Sequence, residues 1–325
     1  MNLISFKRCM LDNETSSFSI KHINVEFEIN NVLSEAITCI KEFTNNVIAL
    51  GCMNGSFTLI KINLISKTWK QIFTKLNAHN GCIFSLCEIQ QSYLASSSED
   101  STIKIWKIED TALNLIKTIS NHTDIVLHLI NINQTTFASC SYDKTIRLWS
   151  IYNSFQEESI MMNNSVVCSI LCLSQRRNVL VSGCENSVIF WDINVYVKLS
   201  TVKYVYVFYP SHMIELQNGY VGVSSNSHPD YPIVIIDSLN YTINKFITLK
   251  GYFSECSSLC RYGEKSFIYL NGDVVVQVSI EDNNVIYKGN SNNNIDGSFG
   301  VIYIQEGKYY LVTNCSKGIS VINII

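Results

Sequence analysis

Two stretches of this chain, "YLASSSEDSTIKIWKI" (Tyr93 to Ile108) and "TFASCSYDKTIRLWSI" (Thr136 to Ile151), read alike. Each has a serine-rich run, a tight turn holding an aspartate, and an alternating strand that ends at a tryptophan. Trp106 and Trp149 stand 43 residues apart, and Asp100 and Asp143 keep the same offset. "VLVSGCENSVIFWDI" (Val179 to Ile193) continues the series, with Trp191 42 residues further on and Asn186 at the turn. Self-similarity at such a period marks a supersecondary unit that cannot bury its own faces and must stack on its neighbours.

Weaker copies keep the register. "VIALGCMNGSFTLIKI" places Asn54 at the turn and Ile60 at the tryptophan position, 46 residues before Trp106. "YVGVSSNSHPDYPIVIID" places Asp230 and Ile236 there, the latter 45 residues beyond Trp191. Gln277 falls near the next marker position and Ile322 at the last, which makes seven units. Each unit reads as four short strands, because alternating Val, Ile, Phe, Tyr and Thr are cut by Asn, Gly, Ser and Asp at hairpin spacing. In the unit ending at Trp149 and its following strand these are Ile125 to Ile132, Thr136 to Ser141, Lys144 to Trp149 and Gln156 to Met162. No long pattern of period 3.6 competes, so the fold class is all-β.

The spacing, the tryptophans and the dipeptides Trp191-Asp192, Trp106-Lys107 and Trp149-Ser150 resemble the WD40-repeat family of β-propellers. Ala78-His79 and Asn121-His122 stand where family repeats open with Gly-His. The resemblance implies a seven-bladed β-propeller of four-stranded antiparallel blades. In it, the segment Ser19 to Ile29 supplies the outer strand that the last unit lacks, residues 1–18 form a tail, and 19–325 form the propeller. It also implies a structural hydrogen-bond network of His79, Ser96, Asp100 and Trp106, repeated as His122, Ser139, Asp143 and Trp149, with Ser182 and Trp191 as its remnant in the fourth unit. A Ser-His-Asp set of this kind satisfies buried polar atoms rather than performing nucleophilic chemistry.

Composition removes several functions. The net charge of −3 and a sequence pI near 6.1 give no sequence-wide basic field for general nucleic-acid binding. No run of 18 apolar residues suggests a membrane span, and the start "MNLISFKRCMLDNETSS" is unlike a signal peptide, so the expectation is an intracellular, cytoplasmic protein, a nuclear one being the alternative. The 12 cysteines form no CxxC pair, and Cys52, Cys140, Cys184 and Cys315 fall where inner positions need compact apolar residues, so they read as buried thiols. No phosphate loop, nucleophile elbow or metal helix is present, and no metal or cofactor is expected.

The expected function is a non-catalytic scaffold that binds proteins through the face where the aspartate turns and the histidine loops converge. Its candidate residues are Glu99, Tyr142 and Glu185 before the turns, Asn80 and Thr123 beside the histidines, and His228 and Tyr231 in the longer fifth-unit turn "SSNSHPDYP". The alternatives are a permanent subunit of a large complex, favoured mildly by a mean hydropathy of +0.14, and an enzyme with its site at the channel mouth using His228. A ubiquitin-ligase substrate receptor is a further one, weakened because Ile193 and Asn194 follow Trp191-Asp192 where that class carries a basic residue. The stretch "VKYVYVFYPSHM" (Val202 to Met213) reads as a buried strand, the other option being an exposed aromatic stripe.

Overall fold

The computed structural model describes residues 21–22, 25–30, 32, 35–90, 92–109, 112–204, 209–225, 233–247, 257–262, 266–271, 274–279, 285–290, 295–305, 308–315 and 318–324. They form seven sheets, each built on four antiparallel strands. Blade 1 holds Ile37–Phe43, Val47–Cys52, Phe57–Asn63 and Thr68–Lys75, from the channel outward. Blade 2 holds Ile83–Gln90, Tyr93–Ser98, Ile103–Ile108 and Leu113–Ile119. Blade 3 holds Val126–Asn131, Thr136–Ser141, Thr145–Ser150 and Gln156–Met162. Blade 4 holds Val167–Cys172, Val179–Cys184, Ser187–Asp192 and Val197–Lys203. Blade 5 holds Pro210–Glu215, Tyr220–Ser225, Ile233–Asp237 and Thr242–Ile247. Blade 6 holds Ser257–Tyr262, Ser266–Asn271, Val274–Ser279 and Val285–Asn290. Blade 7 takes Ile295–Gln305, Lys308–Cys315 and Gly318–Ile324 from the end of the chain and its outer strand, Val25–Asn30, from the beginning. Each inner strand neighbours the next, and Ile295–Gln305 returns to Ile37–Phe43, which closes the ring.

The N-terminal strand runs antiparallel to Gly318–Ile324, with Phe27 opposite Val321 and Asn30 opposite Gly318. Ile29 is fully buried. Glu26 on this strand pairs with Lys67 of blade 1 at 2.5 Å. The closing strand is thus narrower than Ser19 to Ile29, because Lys21–His22 leaves it and pairs in parallel with Gly289 and Asn290 on the outer edge of blade 6.

Seven hydrophobic clusters hold the ring, each packed between one blade and the next. Both faces of every blade are therefore covered, which is why the middle strands are apolar or small at consecutive positions rather than at alternate ones. Val179–Cys184 is buried along its whole length. Outer strands such as Thr68–Lys75 face solvent over their first half. Ile60, Ile236 and Ile322 take the tryptophan position and are almost fully buried. In blade 6 that position belongs to Val278, not Gln277: it stands opposite Phe267 as Trp106 stands opposite Leu94, beside the same outer-strand bulge.

The inner strands face the channel with an unpaired backbone edge, a liability in any sheet. Side chains of the preceding blade cover part of it. The Ser85 hydroxyl accepts Leu129 N–H at 3.1 Å, and His128 Nδ1 accepts Ile170 N–H at 3.3 Å. The stretch from Val202 to Met213 is not one strand: the outer strand of blade 4 ends at Lys203 and the inner strand of blade 5 starts at Pro210, with 205–208 outside the described residues. Tyr204 is buried, Tyr209 is exposed, and Tyr206 is outside the described residues.

Candidate functional site: the turn face

In blades 2 and 3 the loop before the inner strand carries a histidine and the second hairpin carries an aspartate, so the antiparallel layout puts both at one end of the blade. His79 Nδ1 lies 3.0 Å from Asp100 Oδ2 and its Nε2 lies 2.7 Å from Ser96 Oγ, which accepts Trp106 Nε1–H at 2.8 Å. His122 repeats this with Asp143 at 2.7 Å and Ser139 at 2.7 Å, and Trp149 Nε1–H reaches Ser139 at 2.9 Å. Since indole N–H only donates, the chain of protons has one direction: Trp149 to Ser139, Ser139 to Nε2 of a neutral His122, and Nδ1–H to the carboxylate.

Burial pushes the His122 pKa down and outweighs the pull of Asp143. Burial also opposes ionisation of Asp143, but hydrogen bonds from Thr145 and His122 overcome it and hold the carboxyl below its ordinary value. Asp100 is held low in the same way by His79, Thr102 and the Asn80 backbone. Thr102 and Thr145, which the sequence reading missed, each give the aspartate a hydroxyl at 2.6 Å and a backbone N–H. Ser96 and Ser139 are completely buried. A hydroxyl sealed between an indole and an imidazole meets no substrate, so these sets are struts that fix the turns.

Blade 4 departs from the pattern at two points. Trp191 Nε1–H still reaches Ser182 Oγ at 2.8 Å. Asn163 stands at the histidine position, its N–H bonded to Lys144 O as His79 N–H is to Gly55 O, and its shorter side chain stops at Cys184 Sγ, 2.9 Å away. Asn186 does not replace the aspartate. Its φ of 59° matches Ser101 (65°) and Lys144 (68°), and Cys184 pairs with Ser187, so the turn is one residue shorter and has no acid position.

A row of side chains runs along this face. Met53, Glu99 and Tyr142 occupy one position in successive turns, each with its N–H bonded to a carbonyl just ahead of its own inner strand: Ala36, Cys82 and Ile125 respectively. Glu185 follows in blade 4. Met53 is 59% and Tyr142 42% exposed, and both glutamates are exposed. Met53 escaped the sequence reading, although it directly precedes Asn54, the turn marker of its unit. Asn80 and Thr123 are exposed, and their backbone N–H groups bond to Asp100 and Asp143. Tyr209, ahead of the inner strand of blade 5, donates its hydroxyl to Glu185 Oε1 at 3.1 Å, which raises its pKa, and it lies within electrostatic range of Tyr142. Tyr209 and Glu185 thus form one exposed bonded pair, with the exposed Tyr142 in electrostatic range of Tyr209. Cys168 lies in range of Glu185 and both rings, its thiol pushed up to about 11 first by burial and then by Glu185. His228 and Tyr231 lie outside the described residues.

No group of three or more His, Cys, Asp or Glu side chains that could hold a metal occurs among the described residues. Burial pushes the thiols of Cys39, Cys52 and Cys184 up to about 12, which leaves them protonated and unreactive. No helix among the described residues is long and apolar enough to cross a membrane.

The family described as WD domain, G-beta repeat, matches residues 69–107 and 113–150. Each match starts in the outer strand of one blade and ends in the third strand of the next, so the sequence repeat is offset from the structural one and stitches neighbouring blades together. The first strand and the last blade are joined by the same offset. No curated protein matches the chain. The two matched repeats and the seven four-stranded blades closed in a ring together support a WD40-repeat β-propeller family for this chain.

Proposed function

We propose that this propeller is a non-catalytic platform that binds a partner protein across the turn face of blades 1 to 5, centred on Tyr142, Glu185 and Tyr209. Proteins of this family in general bind other proteins and are non-catalytic. The observation that carries the reading is the exposed set of Tyr142, on a turn pinned by the buried His122, Ser139 and Asp143 network, and Tyr209 bonded to Glu185. Aromatic side chains held in place bury area on binding at little entropic cost, and tyrosine is enriched among the residues that dominate binding energy. Glu99 and Met53 extend the surface toward blade 1, while Asn80 and Thr123 border it. His228 and Tyr231 join the proposal by sequence position.

The test is capture of partners by tagged wild-type protein beside a folded Tyr142→Ala, Glu99→Ala variant. Proteins bound by the wild type and lost from the variant support the reading. A binding set that is unchanged in the variant overturns it.

A further inference from the structure

On the face opposite the turns, two blade junctions are closed by one device. Glu88 of blade 2 accepts the N–H of Thr44 in blade 1 at 2.8 Å and its hydroxyl at 2.6 Å. Glu215 of blade 5 accepts the N–H of Ser174 in blade 4 at 2.8 Å, its hydroxyl at 2.5 Å, and the N–H of Gln175 at 3.1 Å. The two glutamates occupy one rung of the inner strand, opposite Leu94 and Val221. In blade 4 the residue on that rung, opposite Leu180, is Cys172. Facing it from blade 3, at the Thr44 and Ser174 position, is Asn133.

A groove of about 690 Å³ opens where the glutamate is missing, lined among others by Asn131, Gln134, Cys172, Ser174 and Arg177. The blade 3 loop does not collapse into it, because Asn133 Oδ1 accepts Thr135 N–H, Thr136 N–H and the Thr135 hydroxyl and so holds the loop from within. Two donors are left over. The Gln134 N–H, counterpart of the Gln175 N–H that Glu215 holds, has no partner among the described residues, nor does the exposed Arg177 guanidinium. Leu173 and Ile132 give the groove apolar walls. Glu158 lies in the smaller neighbouring pocket, where Thr136 bonds to it, and repels a second acid from that side.

We propose that this groove takes a glutamate side chain from an extended segment of a partner protein, whose carboxylate meets Gln134 N–H and Arg177 and completes in trans the junction that Glu88 and Glu215 complete in cis. A carboxylate between a backbone N–H and a guanidinium is a charge-assisted arrangement, stronger than neutral pairs. The site is on the opposite face from Tyr142 and stands or falls separately from it.

The experiment is amide NMR of the full chain titrated with the acetylated and amidated tripeptide Gly-Glu-Gly, beside Gly-Gln-Gly. Saturable shifts of the Gln134 and Arg177 amides are expected with the first at millimolar concentrations and not with the second. Arg177→Ser should abolish them. Cys172→Glu, which supplies the carboxylate within the chain, should move the Gln134 amide before any peptide is added and block further shifts. A spectrum otherwise unchanged shows that each variant is folded. Absence of saturable shifts in the wild type, equal shifts with the glutamine peptide, or shifts that persist in folded Cys172→Glu would each overturn the proposal.

Discussion

Two channel histidines should make this propeller sensitive to mild acid. His128 and His212 occupy equivalent rungs of the inner strands of blades 3 and 5, paired with Cys140 and Ser224. Burial first, and then the charge of Lys41, pushes the pKa of His128 down to about 3 and that of His212 to about 4. In the unfolded chain both titrate near 6.5. Between those values the unfolded chain binds protons that the folded chain refuses, so stability is full above the unfolded pKa and falls as the pH drops toward the folded one. At pH 5.0, about 1.5 units below the unfolded value, each histidine removes about 2 kcal/mol and the pair about 4 kcal/mol, a large share of the 5–15 kcal/mol typical of a domain. The assay is urea unfolding at pH 7.5 and 5.0, followed by fluorescence and circular dichroism so that a single transition can be verified. The His128→Gln, His212→Gln variant keeps a polar side chain opposite Ile170 N–H and removes the titration. His122, whose pKa is also lowered, acts equally in both proteins and cancels. The variant should lose about 4 kcal/mol less than the wild type over this pH interval. Equal losses, to within about 1 kcal/mol, would refute the reasoning.

Other perturbations test other parts of the structure. Ser139→Ala strands both the Trp149 N–H and His122 Nε2 in a dry interior and should cost roughly 2–4 kcal/mol by urea unfolding, against less than about 0.5 kcal/mol for Ser66→Ala in an exposed turn. Gly55→Ala places a Cβ against the His79 carbonyl oxygen at a φ of 76°, so its thermal midpoint should fall, whereas ordinary glycine-to-alanine changes at compatible angles raise it. Glu88→Gln weakens the bonds to Thr44 and should cost about 1 kcal/mol, less than a buried pair because the site is solvated. Deleting residues 1–30 removes the strand paired with Gly318–Ile324 and should abolish cooperative unfolding; a sharp transition in the truncated chain would contradict the closure.

The blades were legible where turn chemistry and a large apolar marker recur together. Asp100 and Asp143 fix the turns, Trp106 and Trp149 fix the third strands, and the decayed units follow because isoleucine fills the same buried position. Register was less legible. Asn186 suits both an acid's place and a left-handed φ, so only the pairing of Cys184 with Ser187 shows which it takes. Val278 and Gln277 cannot be told apart without the bulge beside them. Asn163 has no periodic signal, since asparagine is common throughout the chain. The glutamate junctions escaped because they link blades rather than strands of one unit: Thr44 and Glu88 are 44 residues apart, and Ser174 and Glu215 are 41. An acid at one inner-strand rung, paired with a hydroxyl residue one repeat earlier, is the signal that would have found them. The tyrosine pair was half visible, because Tyr142 precedes a turn marker while Tyr209 lies in a connection of irregular length.

Hydrogen exchange of the full chain, alone and bound to the partner captured by wild-type protein, tests the binding face most directly. Slowed exchange confined to the backbone amides around Glu99, Tyr142, Glu185 and Tyr209, with the outer strands unchanged, is the predicted result. Protection on the outer strands with those turns unaffected would contradict it.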